Sequence, residues 1–395
     1  MFKRYQQIHF VGIGGSGMSG IAEILLNLGY RVTGSDQKRG EAVERLERLG
    51  AKVFIGHEAG HVEGAHVVVF VTSLGSNARL GQGEYLVAEA DESDGSFLKL
   101  QPTIAVVTTV DAEHLDHYGT LEAVRDAFVE FVNKVPFYGA AVLCLDQPNI
   151  QMLMPRIEKR IVTYGLESGA DLVARRLHLS GMTSRFEVYQ RGSLLGECTL
   201  QVPGRHNVLN ALAAVAVGLD LDIPFVTIQK ALAGFAGVQR RFQVRGRARG
   251  VTVVDDYGHH PAEIRATLAA AKAGFDCRVV TVFQPHRYSR THHLRQEFLT
   301  AFNQADVLVV MDIYAAGEAP IPGVTADGLA DGIRAHGHRN VTYLGGDRAR
   351  IVEHLAEIVR TGDLVLTLGA GDVGQLGAEL LKRLDADSLD GRPQC

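Results

Sequence analysis

The chain has 395 residues, too many for one ordinary domain, so two or three are expected. Hydrophobic residues are 46% and charged residues 22%, ordinary for a soluble globular protein, and a net charge of −5 gives no ground for nucleic-acid or membrane binding. The four cysteines, Cys144, Cys198, Cys277 and Cys395, are too scattered for a zinc site or disulfide set, and no apolar signal core precedes the first strand, so a cytoplasmic protein is expected.

From the N-terminus, Ile8–Val11, Arg31–Gly34, Lys52–Ile55 and Val67–Thr72 read as strands, and Met18–Asn27 and Glu41–Leu49 as helices. Short strands alternating with helices predict a parallel sheet with right-handed crossovers. After Ser73 the texture changes: Leu74–Gly83 reads as loop. Strands are predicted at Tyr85–Glu89, Ile104–Thr109 and Ala140–Leu145, with a helix at Leu121–Asn133. Alternation in Arg185–Tyr189 and Thr199–Val202 predicts an antiparallel part. Helices Asn207–Leu219 and Phe225–Leu232 follow. From about Gly237 a third α/β unit begins. Its strands are Val251–Asp255, Arg278–Phe283, Val307–Met311, Val341–Leu344 and Leu364–Leu368. Its helices are Pro261–Lys272, His293–Asn303, Ala326–Ala335, Arg348–Arg360 and Val373–Leu384, and the tail Ser388–Cys395 is expected to fray. The expected class is α/β, with domains over residues 1–73, 74–240 and 241–395.

The first strand runs into Gly12-Ile13-Gly14-Gly15-Ser16-Gly17, a G-x-G-x-x-G loop that opens a helix. Glycines permit the tight turn and close approach of backbone to a pyrophosphate, and the helix N-terminus offers unpaired N–H groups. Asp36 ends the second strand, where an acid can bond a ribose hydroxyl. Nicotinamide dinucleotide and a UDP-sugar both fit this loop. A second loop of the same spacing, Gly369-Ala370-Gly371-Asp372-Val373-Gly374, is as readily a plain strand-to-helix turn, because Asp372 would repel a phosphate.

Two acidic clusters follow apolar strands, Glu89–Asp94 and Asp111–His117. Carboxylates on neighbouring strand ends suit Mg²⁺, which takes oxygen ligands. Asn207 fits a helix N-cap, which leaves His206 and Asn210 unexplained, and Asn210's amide suits an adenine edge. Arg240 and Arg241 sit at a domain joint, where guanidinium forks suit phosphates. Asp255–Pro261 and Gln284–Thr291 follow two further strands and are dense in His, Arg and Tyr. A carboxylate held by Arg287 and Arg290 is their natural chemistry.

In order and spacing, His9–Gly20, Leu86–Asp94, Asp255–Pro261 and Gln284–Thr291 resemble the Mur ligase family over nearly the whole chain. The resemblance implies Rossmann-like N- and C-terminal domains around a central mononucleotide-binding domain. It implies ATP-dependent ligation of an amino acid to a UDP-sugar through an acyl phosphate, closest to the members that join L-alanine to UDP-N-acetylmuramate in peptidoglycan precursor synthesis. Carried over, Gly12, Gly14, Gly15, Ser16, Gly17, Asp36 and Ser73 hold the UDP-sugar, and Glu89 and His114 bind Mg²⁺. His206, Asn207, Asn210, Arg240 and Arg241 meet ATP, and Tyr257, His259, Arg287 and Arg290 position alanine and the acyl phosphate.

One departure is large. The family carries a further stretch, with the lysine loop that cradles ATP phosphates, where Ser73 here joins Leu74 directly, and no G-x-x-x-x-G-K-[ST] occurs in the sequence. Activity of this form is therefore expected to be low. The alternatives are a non-catalytic UDP-sugar-binding homologue, a related ligase that attaches a peptide, and a nicotinamide dehydrogenase. A homo-oligomer is compatible with the sequence.

Overall fold

The structure is a computed structural model that describes residues 7–11, 13, 19, 22–23, 25–26, 29–36, 39–56, 67–69, 86–167 and 169–389. Its contacts form two compact units, Met1–Phe97 and Leu98–Cys395.

In the first unit, β1 (Gln7–Val11), β2 (Arg31–Asp36), β3 (Lys52–Ile55) and β4 (Val67–Val69) form a parallel sheet in the order β3-β2-β1-β4. That order puts β1 beside β2 and β4, the arrangement around which doubly wound sheets build ligand crevices. Ile8, Phe10, Val32, Val43 and Leu46 fill the core under α1 (Glu41–Arg48). Of the expected helix Met18–Asn27, Ser19, Ala22, Glu23, Leu25 and Leu26 are described, and all are helical. The strand expected at Tyr85–Glu89 is absent over residues 86–89, where Leu86 is 82% and Val87 93% exposed. Apolar composition favours a strand only where a neighbour supplies hydrogen-bond partners.

The second unit holds two six-stranded sheets. The central one orders β10 (Ser193–Leu200), β9 (Thr183–Gln190), β8 (Leu172–Ser180), β7 (Ile161–Gly165), β6 (Ala140–Cys144) and β5 (Ile104–Val107). Strands β5 to β8 are parallel and β8 to β10 antiparallel, as the alternating residues imply. A short helix α2 (Leu115–Tyr118) and then α3 (Leu121–Asn133) lie between β5 and β6, and α4 (Pro148–Leu153) follows β6. Helix α5 (Arg205–Asp220) packs on β6, β7 and β8 and is followed by α6 (Phe225–Ala233). Gly218 allows the α5–α6 approach, since a Cβ there would lie 2.6 Å from Ile228 Cδ1.

The C-terminal sheet orders β11 (Gln243–Ala248), β12 (Val251–Asp256), β16 (Leu364–Leu368), β13 (Val279–Phe283), β14 (Val307–Met311) and β15 (Val341–Gly345). Only the β11–β12 pair is antiparallel. Two apolar clusters enclose this sheet. One joins Phe283 to Ile264 and Leu268 of α7 (Pro261–Gly274), Phe298 of α9 (Arg295–Ala301) and Leu329 of α10 (Ala326–Ala335). The other joins Val253 and Val282 to Ile351 of α11 (Arg348–Ile358) and Leu380 of α12 (Gly374–Leu389). The single helix expected at His293–Asn303 is α8 (Tyr288–His293) and α9, broken at Leu294. Helix α12 runs to Leu389, so part of the expected frayed tail is helical. Among the described residues, no helix is long and apolar enough to cross a membrane.

Candidate functional site

The C-terminal ends of β12 and β13 carry the two His/Arg-rich segments. After β12, the buried Asp256 accepts the N–H groups of Phe242 (2.8 Å) and Gly258 (2.7 Å), which bends the chain back. Helix α7 then starts with Pro261 in its first turn and a capping box between His260 and Glu263. His260 Nδ1 accepts the Ala262 N–H at 3.3 Å, so the neutral ring carries its proton on Nε2. That buried Nε2 has no hydrogen-bond partner, and it faces Glu113 Oε1 at 3.5 Å. Glu113 and His114 come from the loop after β5, so this contact joins the rims of the two sheets. His114 adopts a left-handed backbone (φ 54°) as it starts α2, and its Nε2 lies 3.9 Å from Glu113 Oε2. Burial raises the Glu113 pKa, against the pull of His260.

His259 donates from Nδ1 to the Tyr257 carbonyl at 3.0 Å, which leaves Nε2 as an acceptor. Burial pulls its pKa to about 4, with Glu263 opposing, so the ring is neutral at pH 7. The His286 ring lies 5.7 Å away, stacked on Tyr314 at 5.5 Å and 8°. His286 accepts from Arg290 Nη1 at 3.2 Å, and burial pulls its pKa to about 4 too. Arg290 lies on α8 rather than in a connecting loop. Burial lowers its pKa, and among the described residues no carboxylate lies within 4.0 Å of it. Arg287 precedes α8 at φ 69° and is held by its N–H to the Tyr314 carbonyl (2.8 Å). A positive φ in a non-glycine residue stores strain of about 1–3 kcal/mol, which functional sites retain when it aims a side chain. Glu113, His114, Leu115, His260, Arg287 and Arg290 line one small cleft. Cations on one wall and a carboxylate on the other suit a small zwitterion or an anion beside a metal.

The sequence-predicted ATP residues divide. Arg240 Nε meets Asp255 Oδ2 at 3.1 Å and Nη2 donates to the Gly369 carbonyl at 2.7 Å. Arg241 Nη1 donates to Glu263 at 2.8 Å. Both guanidinium groups sit over the Tyr257 ring, at 4.9 and 5.8 Å. His206 is pulled to about 4 by burial and by Arg241. Asn207 is not the N-cap. Gly204 holds that position at φ 99°, and Asn207 Nδ2 donates to the Pro203 carbonyl at 2.7 Å. A Cβ on Gly204 would lie 2.8 Å from Ala270 Cβ, so packing reserves the cap for glycine and helix α5 starts two residues early. Asn210 is exposed.

In the first unit, Asp36 ends β2 half-buried, and Glu89 is exposed. Gly12, Gly14, Gly15, Ser16, Gly17 and Ser73 lie outside the described residues. Ile13, between the first two glycines, is buried, with its N–H on the Ser35 carbonyl at 3.1 Å. It sits on Gly34, where a Cβ would fall 2.4 Å from Ile13 Cδ1. Asp91 and Asp94 accept the Ser93 (2.9 Å) and Ser96 (2.8 Å) N–H groups, so both acids have turn-forming roles.

The second glycine loop is filled by protein. Gln284 donates to Asp372 Oδ1 at 2.7 Å and accepts the Val373 N–H at 3.2 Å. A Cβ on Gly371 would meet Gln284 Oε1 at 2.3 Å. Asp372 thus bonds a side-chain amide, and the glycines make room for Gln284. Glu113, His260, Glu263 and His286 were absent from the site residues drawn from sequence. The H-x-x-E spacing of His260 and Glu263 was the available signal, a capping box with histidine in the usual serine place.

Three α/β sheets, with the His/Arg-rich segments after β12 and β13, define the class. The chain belongs to the Mur ligase family. It matches the family models described as Mur ligase family, catalytic domain (residues 7–91), Mur ligase middle domain (69–218) and Mur ligase, glutamate ligase domain (240–371). Within that family it is similar to curated UDP-N-acetylmuramate–L-alanine ligases. That of Geobacter sp. strain M21 is 50% identical over 458 residues, covering 98% of this chain and 99% of the relative. That of Syntrophotalea carbinolica is 50% identical over 455 residues, covering 97% and 99%. The crystal structure of a UDP-N-acetylmuramate–alanine ligase from Thermotoga maritima shares the fold, with a TM-score of 0.67 at 24% identity over 96% of this chain and 99% of that one. Since the first alignment runs over 458 positions and this chain has 395 residues, at least 63 aligned positions have no residue here.

Proposed function

We propose that this chain is the acceptor-side framework of an ATP-dependent ligase that joins L-alanine to UDP-N-acetylmuramate through an acyl phosphate. The observation that carries the reading is the cleft in which Arg287 and Arg290 face Glu113 and His114. The arginines take the carboxylate of the amino acid and the oxygens of the acyl phosphate, and their fixed forks stabilise charge on the transferred group. Neutral His259 offers Nε2 to the incoming amine, and Tyr257 under Arg240 and Arg241 orients the phosphate side. The Glu113 carboxylate beside His114 gives an oxygen and an imidazole nitrogen to a divalent cation such as Mg²⁺. Held there, such a cation would offset negative charge developing on phosphate oxygens. Gly12–Gly17, Asp36 and Ser73 keep their assignment to the UDP-sugar, and His206, Asn207 and Asn210 theirs to adenine.

The test is phosphate release with UDP-N-acetylmuramate, ATP and L-alanine together, each omitted in turn. Release from the 395-residue chain is expected at background, because no lysine loop is present. Robust release needing all three would overturn that expectation. Calorimetry with UDP-N-acetylmuramate that is indifferent to Mg·ATP would favour a binding homologue. A tripeptide outcompeting L-alanine would favour a peptide-adding ligase.

A further inference from the structure

One carboxylate at the C-terminal rim is bonded to both halves of the site. Glu263 Oε2 accepts the N–H of His259 at 3.0 Å and of His260 at 3.1 Å. Its Oε1 accepts Arg241 Nη1 at 2.8 Å. His259 Nδ1 lies 3.6 Å from the same carboxylate. These partners hold Glu263 ionised, with a pKa of about 2 despite its burial. Its place in the first turn of α7 ties all of them to the apolar core, through the buried Ile264 next to it.

We propose that Glu263 is a positioning residue that locks Arg241 and the His259–His260 turn together, so the phosphate-facing and acceptor-facing sides keep one fixed spacing. The naming of the two sides rests on the ligase reading, whereas the lock does not. Capping alone would require only the His260 N–H. The second N–H and the guanidinium go beyond what ending a helix needs. Of the four groups on this carboxylate, Arg241 comes from the joint before β11 and the two histidines from the turn after β12. A shift of either segment therefore breaks a charge-assisted bond.

The experiment uses the full chain with ¹⁵N-labelled histidine and arginine, comparing wild type with Glu263→Gln and Glu263→Ala by imidazole and guanidinium NMR. In wild type, His259 holds the Nδ1–H tautomer, stays neutral down to pH 5, and Arg241 shows protected N–H groups. Glu263→Gln keeps an oxygen for the two backbone N–H groups but loses the ion pair. Its His259 pattern is expected to persist while Arg241 exchange rises about tenfold, the loss of one charge-assisted bond. In Glu263→Ala both are lost, and His259 becomes a tautomer mixture. Unchanged Arg241 exchange in Glu263→Gln, or a native His259 tautomer in folded Glu263→Ala, overturns the proposal. Should Glu263→Ala fail to fold, Glu263→Gln decides alone. No substrate is present in this measurement, so failure of the ligase reading in the phosphate-release assay leaves its outcome intact.

Discussion

In the C-terminal sheet, Val279–Phe283 and Leu364–Leu368 are buried at every position, with apolar helices on both faces. In the central sheet, β5 has the composition of an interior strand yet, among the described residues, lies at the sheet's end and pairs with β6 alone, and Val106 on it is 40% exposed. The first sheet carries a rim whose residues are bonded to one another. The second contributes Glu113, His114 and Leu115 to that cleft. Each half of the site is thus held by its own sheet.

The largest effect expected from this contrast is catalytic. Placing a relative's missing segment between Ser73 and Leu74 should raise substrate-dependent phosphate release by ~10³ or more, the scale of preorganised charge stabilisation. No rise would break the comparison by putting the defect elsewhere. Next comes packing. Phe283→Ala removes a ring in contact with Phe298 (5.6 Å) and Phe302 (4.8 Å) and should destabilise by ~3–5 kcal/mol. Val106→Ala on half-open β5 should stay within ~0.5 kcal/mol. Denaturant titration that gives equal losses would remove the distinction between the sheets.

Acid should act on the same rim. His259, His206 and His286 have folded pKa values of about 4. The unfolded chain titrates near ~6.5, so it binds more protons between those values. Stability is therefore full above pH 6.5 and falls as pH drops toward 4, by up to ~3 kcal/mol for His259 alone. Glu263, at about 2 in the fold, adds a further loss below its unfolded value of about 4.5. A melting temperature flat from pH 7 to 4 would contradict this. Gly371→Ala is expected to cost ~1–3 kcal/mol by overpacking against Gln284 and Tyr314. Unchanged stability there would mean the second glycine loop is looser than its contacts imply.

Strands and helices of the C-terminal sheet were legible because their apolar runs are long and their breaks carry Gly, Pro or Asp. Two of the segments behind the family resemblance, Asp255–Pro261 and Gln284–Thr291, are those that follow the C-terminal ends of β12 and β13. The Glu113–His260 contact escaped because its partners are far apart in sequence, whereas Glu263 was legible as the acid of a local H-x-x-E capping box. Glu113 and His260 are 147 positions apart, yet 3.5 Å in space. The strand at Tyr85–Glu89 failed for the opposite reason: local pattern predicts a tendency to pair, and the partner decides. Asn207 was displaced from its cap by a glycine whose need arises from Ala270, another fact of packing.

Strand β11 begins a few residues after Arg240, and helix α12 follows a loop whose Gly369 carbonyl that same arginine holds. The entry to this sheet and the loop leading to its last helix are therefore pinned together. A segment pinned in this way behaves as a cassette. Domain exchange between relatives is expected to move it as one piece, provided the host matches the central-sheet residues it meets, Glu113 and Met182 among them.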